Sequence, residues 1–260
     1  MLKRLIGVIT VRDGWAVQSI GYNKYLPLGR PEILAENLDR WHLEEILIVD
    51  ISRSSFRSPN IELVHKVASM GISTPIAYAG GIYSAKHAID VIKAGADRIG
   101  IETLFREDGR EVLGIADSLG RQAIIRIQPL QVISKNLQLY NYLDKSTQDL
   151  DGINYFVESS NLYSELMIVD YNNEGQKNSF NLDVLKYFEG SDIQLICFGG
   201  ISNSKQIRYL SKIKNISGIA IGNFLNFTEL ANREIGIKRN IQKLRHVSYG
   251  SKTLGEKDWQ

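Results

Sequence analysis

The chain states one pattern twice. Val49-Asp50, closing the apolar run ILIVD, recurs as Val169-Asp170, closing LMIVD, at an offset of 120. Gly80-Gly81-Ile82 recurs as Gly199-Gly200-Ile201 at an offset of 119, and RIGIET around Gly100 is answered by IAIGNF around Gly222 at 122. Three landmarks keep nearly one offset, close to half of the 260 residues. A long internal repeat constrains a fold more than any local propensity does. Each half runs strand, loop, helix, strand, Gly-Gly turn, helix, strand. One such half leaves its sheet open, and two close into a ring of eight parallel strands.

The reading is therefore an α/β protein, a single (β/α)8 TIM barrel built from two half-barrel repeats. The barrel spans 1–246, and 247–260 is a polar C-terminal tail outside the core. The expected strands are Leu5–Thr10, Ile46–Ile51, Pro75–Ala79, Arg98–Ile101, Ala123–Gln128, Leu166–Tyr171, Gln194–Phe198 and Gly218–Ile221. They are continuous apolar runs, as in a parallel sheet covered on both faces. Helices are expected from Pro31, which suits a first turn, and over Ile61–Met70, Ala85–Ala94, Gly109–Ser118, Leu182–Phe188, Ser204–Ile213 and Phe227–Leu244. The connections Val11–Arg30 and Pro129–Asp151 are long and follow strands. That places them on the face where barrels keep their active sites, and long structureless loops in compact domains tend to be functional.

Composition excludes several classes. A net charge of +2 suggests neither nucleic acid nor an acidic membrane as partner. No apolar run is long enough to span a bilayer, and the N-terminus MLKRLIGVIT reads as a first strand rather than a signal peptide. A single cysteine, Cys197, forbids an intrachain disulfide and suits a reducing cytoplasm. His42, His65, His87 and His246 lack metal-ligand spacing, so no metal and no cofactor is expected.

The Gly-Gly turns are the first chemical signal. Glycine after a strand lets backbone N–H groups approach an anion. Gly80-Gly81 with Thr103 makes one candidate cradle. Gly199-Gly200 with Gly222, Asn223 and Gly175 makes the other. Two matched cradles imply an elongated, phosphate-bearing small molecule with a phosphate at each end. Asp50 and Asp170, at strand ends, are pocket candidates, with loop bracing as the alternative.

KRLIGVITVRDG, GGIYSAKHAIDVIKAGADRIGI, NNEGQKNSFNLDVL and FGGISNSKQI together resemble the cyclase (synthase) subunit of imidazole glycerol phosphate synthase, from Met1 to about Arg245. The resemblance implies the same half-barrel duplication. It also implies two acid–base aspartates, ending the first and fifth strands. Here those positions are read as Thr10 and Gln128, neither of which exchanges protons usefully near neutral pH. The loop lysine is replaced by Gln18, a small residue by Phe198, and the asparagine before Thr103 by Glu102.

The opposite end of the barrel keeps the family pattern. The resemblance implies a glutaminase subunit docked on the N-terminal face in a heterodimer, with ammonia passing a ring of two basic and two acidic residues. Arg4, Glu45, Arg98 and Glu165 match that ring, and Asp97 and Gln122 match docking positions. The family includes divergent copies in surface-polysaccharide gene clusters that work with a sugar amidotransferase in making acetamidino groups, and this chain resembles that branch. The expected role is an ammonia-channelling subunit of a glutamine amidotransferase complex. The alternatives are an active cyclase subunit in histidine biosynthesis and a non-catalytic docking barrel.

Overall fold

The computed structural model describes residues 3–52 and 58–227. The expected helix over 227–244, apart from its first residue, and the tail over 247–260 lie outside the described residues.

The first half contains β1 (Arg4–Arg12), β2 (Trp15–Ile20), β3 (Lys24–Gly29), α1 (Pro31–Arg40), β4 (Glu45–Asp50), α2 (Ile61–Ala68), β5 (Ile76–Ala79), α3 (Ala85–Lys93), β6 (Arg98–Ile101), α4 (Thr103–Glu107) and α5 (Gly109–Leu119). The second contains β7 (Ile124–Ile133), β8 (Asn136–Asn141), β9 (Ser146–Asp149), α6 (Asn154–Val157), β10 (Glu165–Asp170), α7 (Asp183–Lys186), β11 (Leu195–Phe198), α8 (Ser204–Leu210), β12 (Ile216–Ile221) and α9 (Asn223–Phe227). Eight strands run in the order β10-β11-β12-β1-β4-β5-β6-β7, all parallel, and the β10–β7 pairing closes the ring. The expected (β/α)8 barrel is the fold.

Each barrel strand has two clothed faces, which is why its sequence is apolar throughout rather than alternating. Ile46 and Ile48 turn outward into the larger core beneath the helices, while Leu47 turns inward. The inner core contains Ile6, Val8, Leu47, Ala77, Ile125, Ile127, Met167, Val169, Ile196 and Ala220. The helices start where their caps dictate: Asn60 Oδ1 accepts from Leu63 N at 3.0 Å, and Asn203 Oδ1 accepts from Gln206 N at 2.9 Å.

The two long connections are not structureless. The first is an antiparallel hairpin of β2 and β3 that continues β1. In the second, β7 runs on past the barrel rim and pairs with β8, which pairs with β9. The alternation in VISKNLQLYNYL is the period-two signature of this ribbon, with Leu137 and Leu139 buried and Asn136 exposed. Both half-barrels thus carry a hairpin after their first strand, and the repeat extends to the decorations.

Candidate functional site

At the N-terminal end of the barrel, Arg4, Glu45, Arg98 and Glu165 open β1, β4, β6 and β10. The structure brings all four together. Arg4 Nη2 lies 2.6 Å from Glu165 Oε1 and Arg4 Nε 3.4 Å from Glu45 Oε2. Arg98 Nη1 lies 3.2 Å from Glu45 Oε1 and Arg98 Nη2 2.7 Å from Glu165 Oε2. Each cation touches both anions, so the charges form a closed ring across the floor of the lumen. Both carboxylates are buried. Burial alone raises a carboxyl pKa. At Glu165 the flanking Arg4 and Arg98 outweigh burial and hold the group below its ordinary value. At Glu45 burial wins and the group is raised.

Asp97 and Gln122 are exposed on the same end. Asp97 Oδ2 accepts from Ile76 N at 2.8 Å, which fastens the start of β5. The Gln122 carbonyl accepts from Arg98 Nε at 3.3 Å, and Ser164 Oγ accepts from Arg98 Nη2 at 2.8 Å. Through Arg98 the ring is hydrogen-bonded to the exposed face at Gln122.

At the opposite end, sheet register decides which residues look into the lumen. Thr10 pairs with Val49, whose side chain packs against the inner core. Val169 is the repeat mate of Val49, and its partner is Pro129. Pro129, and not Gln128, is thus the counterpart of Thr10. On β7 the inner residues are Ile125 and Ile127, so Gln128 turns outward, 2% exposed, where Arg126 Nη2 reaches its Oε1 at 3.4 Å. Arg126 itself lies over the rings of Phe105 (4.6 Å), Tyr155 (4.4 Å) and Phe156 (4.8 Å). The correction leaves the chemistry unaltered, since proline titrates no better than glutamine.

Asp50 and Asp170 also turn away from the lumen. Asp50 Oδ1 accepts from Ser52 N at 2.9 Å and its Oδ2 receives Tyr78 Oη at 3.4 Å. Asp170 Oδ2 accepts from Asn173 Nδ2 at 2.8 Å and Asn181 N at 2.7 Å. Both brace the loop that follows their strand.

The Gly-Gly turns have a packing reason in both halves. Gly80 and Gly199 have φ of 135° and 105°, and a Cβ on either would come within 3.0 Å of the backbone carbonyl oxygen of Asp50 or Asp170. The second glycines, at φ 66° and 77°, face the loop backbones at Ser58 and Phe180 just as closely. Around the second turn a recess is lined by Gly175, Lys177, Phe198, Gly199, Gly200, Gly222 and Asn223 among others. The N–H groups of Gly200 and Ile201 find no protein acceptor among the described residues. Around the first turn the space is used differently. Thr103 Oγ1 donates to Glu102 Oε2 at 2.6 Å and lies 2.7 Å from Tyr142 Oη, while Arg106 Nη1 sits 3.2 Å from Glu102 Oε1.

Two residues that sequence reasoning passed over, Glu174 and Tyr22, govern the mouth. Glu174, buried and with its carboxyl raised by that burial, accepts from Ser19 Oγ at 2.9 Å, while its backbone carbonyl accepts from Gly21 N at 3.0 Å. Asn223 Oδ1 accepts from Ser19 N at 3.2 Å, and its Nδ2 donates to Ser19 O. These bonds hold the first hairpin across the mouth. At its tip Tyr22, with φ of 53°, packs against the inner core from above. Asn223 therefore serves the hairpin as well as the recess, and so does Gly175, where a Cβ would come within 3.0 Å of the Ser19 carbonyl oxygen. The only signal in the sequence was Gly21-Tyr22-Asn23, a turn between two apolar stretches.

Comparison with known proteins agrees with this architecture. The model of the histidine biosynthesis protein family matches residues 4–231. A putative imidazole glycerol phosphate synthase subunit hisF2 of Vibrio vulnificus (strain YJ016) is 30% identical, over 80% of this chain and 77% of its own length. The imidazole glycerol phosphate synthase subunit HisF of Exiguobacterium sp. (strain ATCC BAA-1283 / AT1b) is 27% identical over 80% and 82%. That of Pyrococcus furiosus is 24% identical over 90% and 94%. The matched span runs through both half-barrels, so this chain belongs to the histidine biosynthesis protein family, among its HisF-like barrels.

Proposed function

We propose that this barrel is the ammonia-conducting, synthase-type subunit of a glutamine-dependent complex in the cytoplasm. A glutaminase docks on the N-terminal face around Asp97 and Gln122. Ammonia passes the Arg4–Glu45–Arg98–Glu165 ring and travels up the lumen to an acceptor at the mouth. The observation that carries this reading is the ring itself. Two buried carboxylates and two half-buried guanidiniums are costly to desolvate, and a barrel floor needing only stability is served better by apolar side chains.

Two acceptor chemistries follow. Thr10 and Pro129 offer no general acid or base where the resemblance implies aspartates. This favours an acceptor activated elsewhere, such as a sugar amide turned into an amidine during surface-polysaccharide synthesis, with a sugar amidotransferase as second partner. Imidazole ring closure in histidine biosynthesis is the second reading, and the names of the relatives favour it over the first. The phosphate-bearing ligand of either reaction lies against Gly199, Gly200, Gly222 and Lys177.

Co-expression with a glutaminase subunit tests the complex. The pair should co-purify, glutamine hydrolysis should depend on the barrel, and Asp97→Lys should weaken both. Equal recovery of partner by wild type and variant would remove this face from the interface. Imidazole glycerol phosphate formation with added ammonia separates the acceptors. Brisk turnover by the unaltered chain would establish ring closure.

A further inference from the structure

Glu102, and not Gly100 as the spacing of RIGIET and IAIGNF predicts, occupies in the first half the place that Gly222 occupies in the second. Both follow a barrel strand by the same step, 120 positions apart, and the registers agree: Ala77 pairs with Arg98 as Ile196 pairs with Gly218. The second half therefore presents bare backbone where the first presents a carboxylate. We infer that the mouth takes a ligand bearing a single phosphate, held by the second half, because the first half fills its own cradle with the Glu102 side chain. The inference rests on the second-half recess being the anion site proposed above.

The groups that would meet an anion in the first half are already committed to an internal one. The Thr103 hydroxyl donates to Glu102 Oε2 at 2.6 Å, and the Arg106 guanidinium lies 3.2 Å from Oε1. Tyr142, from the turn between β8 and β9, closes over the same hydroxyl at 2.7 Å. A phosphate carries between one and two negative charges. Brought against this half-buried carboxylate it is repelled, and the repulsion is stronger where water is scarce. The end of the ligand facing Glu102 is therefore uncharged or cationic, such as a hydroxyl, an amide or an amine.

The second half has the opposite character. Gly222 adds no side chain, and a Cβ there would already meet the Phe198 ring at 3.2 Å. Lys177 lines the recess. Glu174 lines it too, but its carboxylate is turned to the Ser19 hydroxyl at 2.9 Å.

The test is a calorimetric titration of the full chain with inorganic phosphate, then with ribose 5-phosphate and ribulose 1,5-bisphosphate. Wild type should take up one phosphate and bind the bisphosphate no better than the monophosphate. Glu102→Gln, nearly isosteric, and Glu102→Gly, which copies the second half, should each take up two phosphates and gain roughly tenfold or more for the bisphosphate. Having two variants of different size keeps the result readable if one folds poorly. Two comparable sites in wild type would overturn the inference, as would one site only in both folded variants. A wild type that takes up no phosphate would sink the second-half anion site itself and the single-phosphate assignment with it. Two sites in wild type would leave that anion site standing, so the two failures are distinguishable.

Discussion

Arg4 and Glu165 meet at 2.6 Å although their strands, β1 and β10, are separated in the barrel by β11 and β12. The contact therefore spans the lumen rather than running between neighbours. Removing either partner leaves a charge facing the remaining members of the ring. Glu165→Ala and Arg4→Ala should each cost about 3 kcal/mol, read as a drop in thermal midpoint. An unchanged midpoint for both would mean that the ring is solvated and structurally idle.

The ring also sets an acid limit. Burial raises the Glu165 carboxyl, but Arg4 and Arg98 outweigh it and leave the group depressed in the folded state. A depressed carboxyl stabilises fully above its unfolded value, and that stability is lost as pH falls through the folded one. Denaturant midpoints should therefore fall more steeply below about pH 4 in wild type than in Glu165→Gln. Parallel curves would show that another group carries the acid sensitivity.

Pro129, rather than Gln128, stands opposite Thr10 by register. Thr10→Asp combined with Pro129→Asp should recover some imidazole ring closure with added ammonia, while Thr10→Asp with Gln128→Asp should recover none. Each restored acid–base group is worth about 10² to 10⁴ in rate. Recovery by the Gln128 pair alone would reverse the strand parity argued above.

The glycines at 80 and 199 differ from those at open turns. Alanine at either would drive a Cβ into a neighbouring carbonyl while holding a positive φ. Gly80→Ala and Gly199→Ala should each cost about 2 kcal/mol or more. Gly120→Ala, also at positive φ (78°) but with nothing near its Cβ, should cost about 1 kcal/mol. Equal losses at all three positions would mean that φ alone, and not the contact between strand ends, makes the turns glycine.

Arg126 is 1% exposed and holds three acceptors: Tyr155 O at 3.2 Å, Ser159 Oγ at 2.6 Å and Gln128 Oε1 at 3.4 Å. Lysine cannot fork to all three or lie flat among the aromatic rings. Arg126→Lys should cost about 2 kcal/mol by urea denaturation. A loss no larger than that of an exposed control such as Arg110→Lys would show that the cage tolerates any cation.

Much of the fold was legible because the repeat is covalent. Asp50 and Asp170, or Gly80 and Gly199, announce equivalent places before any packing is known, and equivalent places in two halves imply a closed ring. The eight barrel strands lie where apolar runs put them, with ends displaced by a few residues. β1 and β7 run longer than expected because each continues into a hairpin beyond the rim. α7 and α8 are shorter than their apolar patterns suggest, and β7 begins after a 3₁₀ turn over Arg121–Ala123.

The candidate site was legible in its charges and not in its directions. Nothing local in the run IIRIQPL says whether Gln128 or Pro129 faces the lumen, because side chains alternate and a one-residue slip exchanges the two faces. Nor does the sequence reveal that Asp50 and Asp170 turn to their own loops, or that Ser19 and Tyr22 return across the barrel to meet Glu174 and the inner core.

The amino-acid sequence by itself determined the duplication and the closed barrel, since these depend on spacing and residue type along one chain, and its resemblance to the cyclase family pointed to the four floor charges. Tertiary structure alone decided which side chains share the lumen, which carboxylates became loop braces, and that Glu102 stands after β6 where Gly222 stands after β12. The reason is physical: a residue's place in the sequence sets its strand, but the hydrogen-bonded register of that strand with its neighbours sets the face on which the side chain acts.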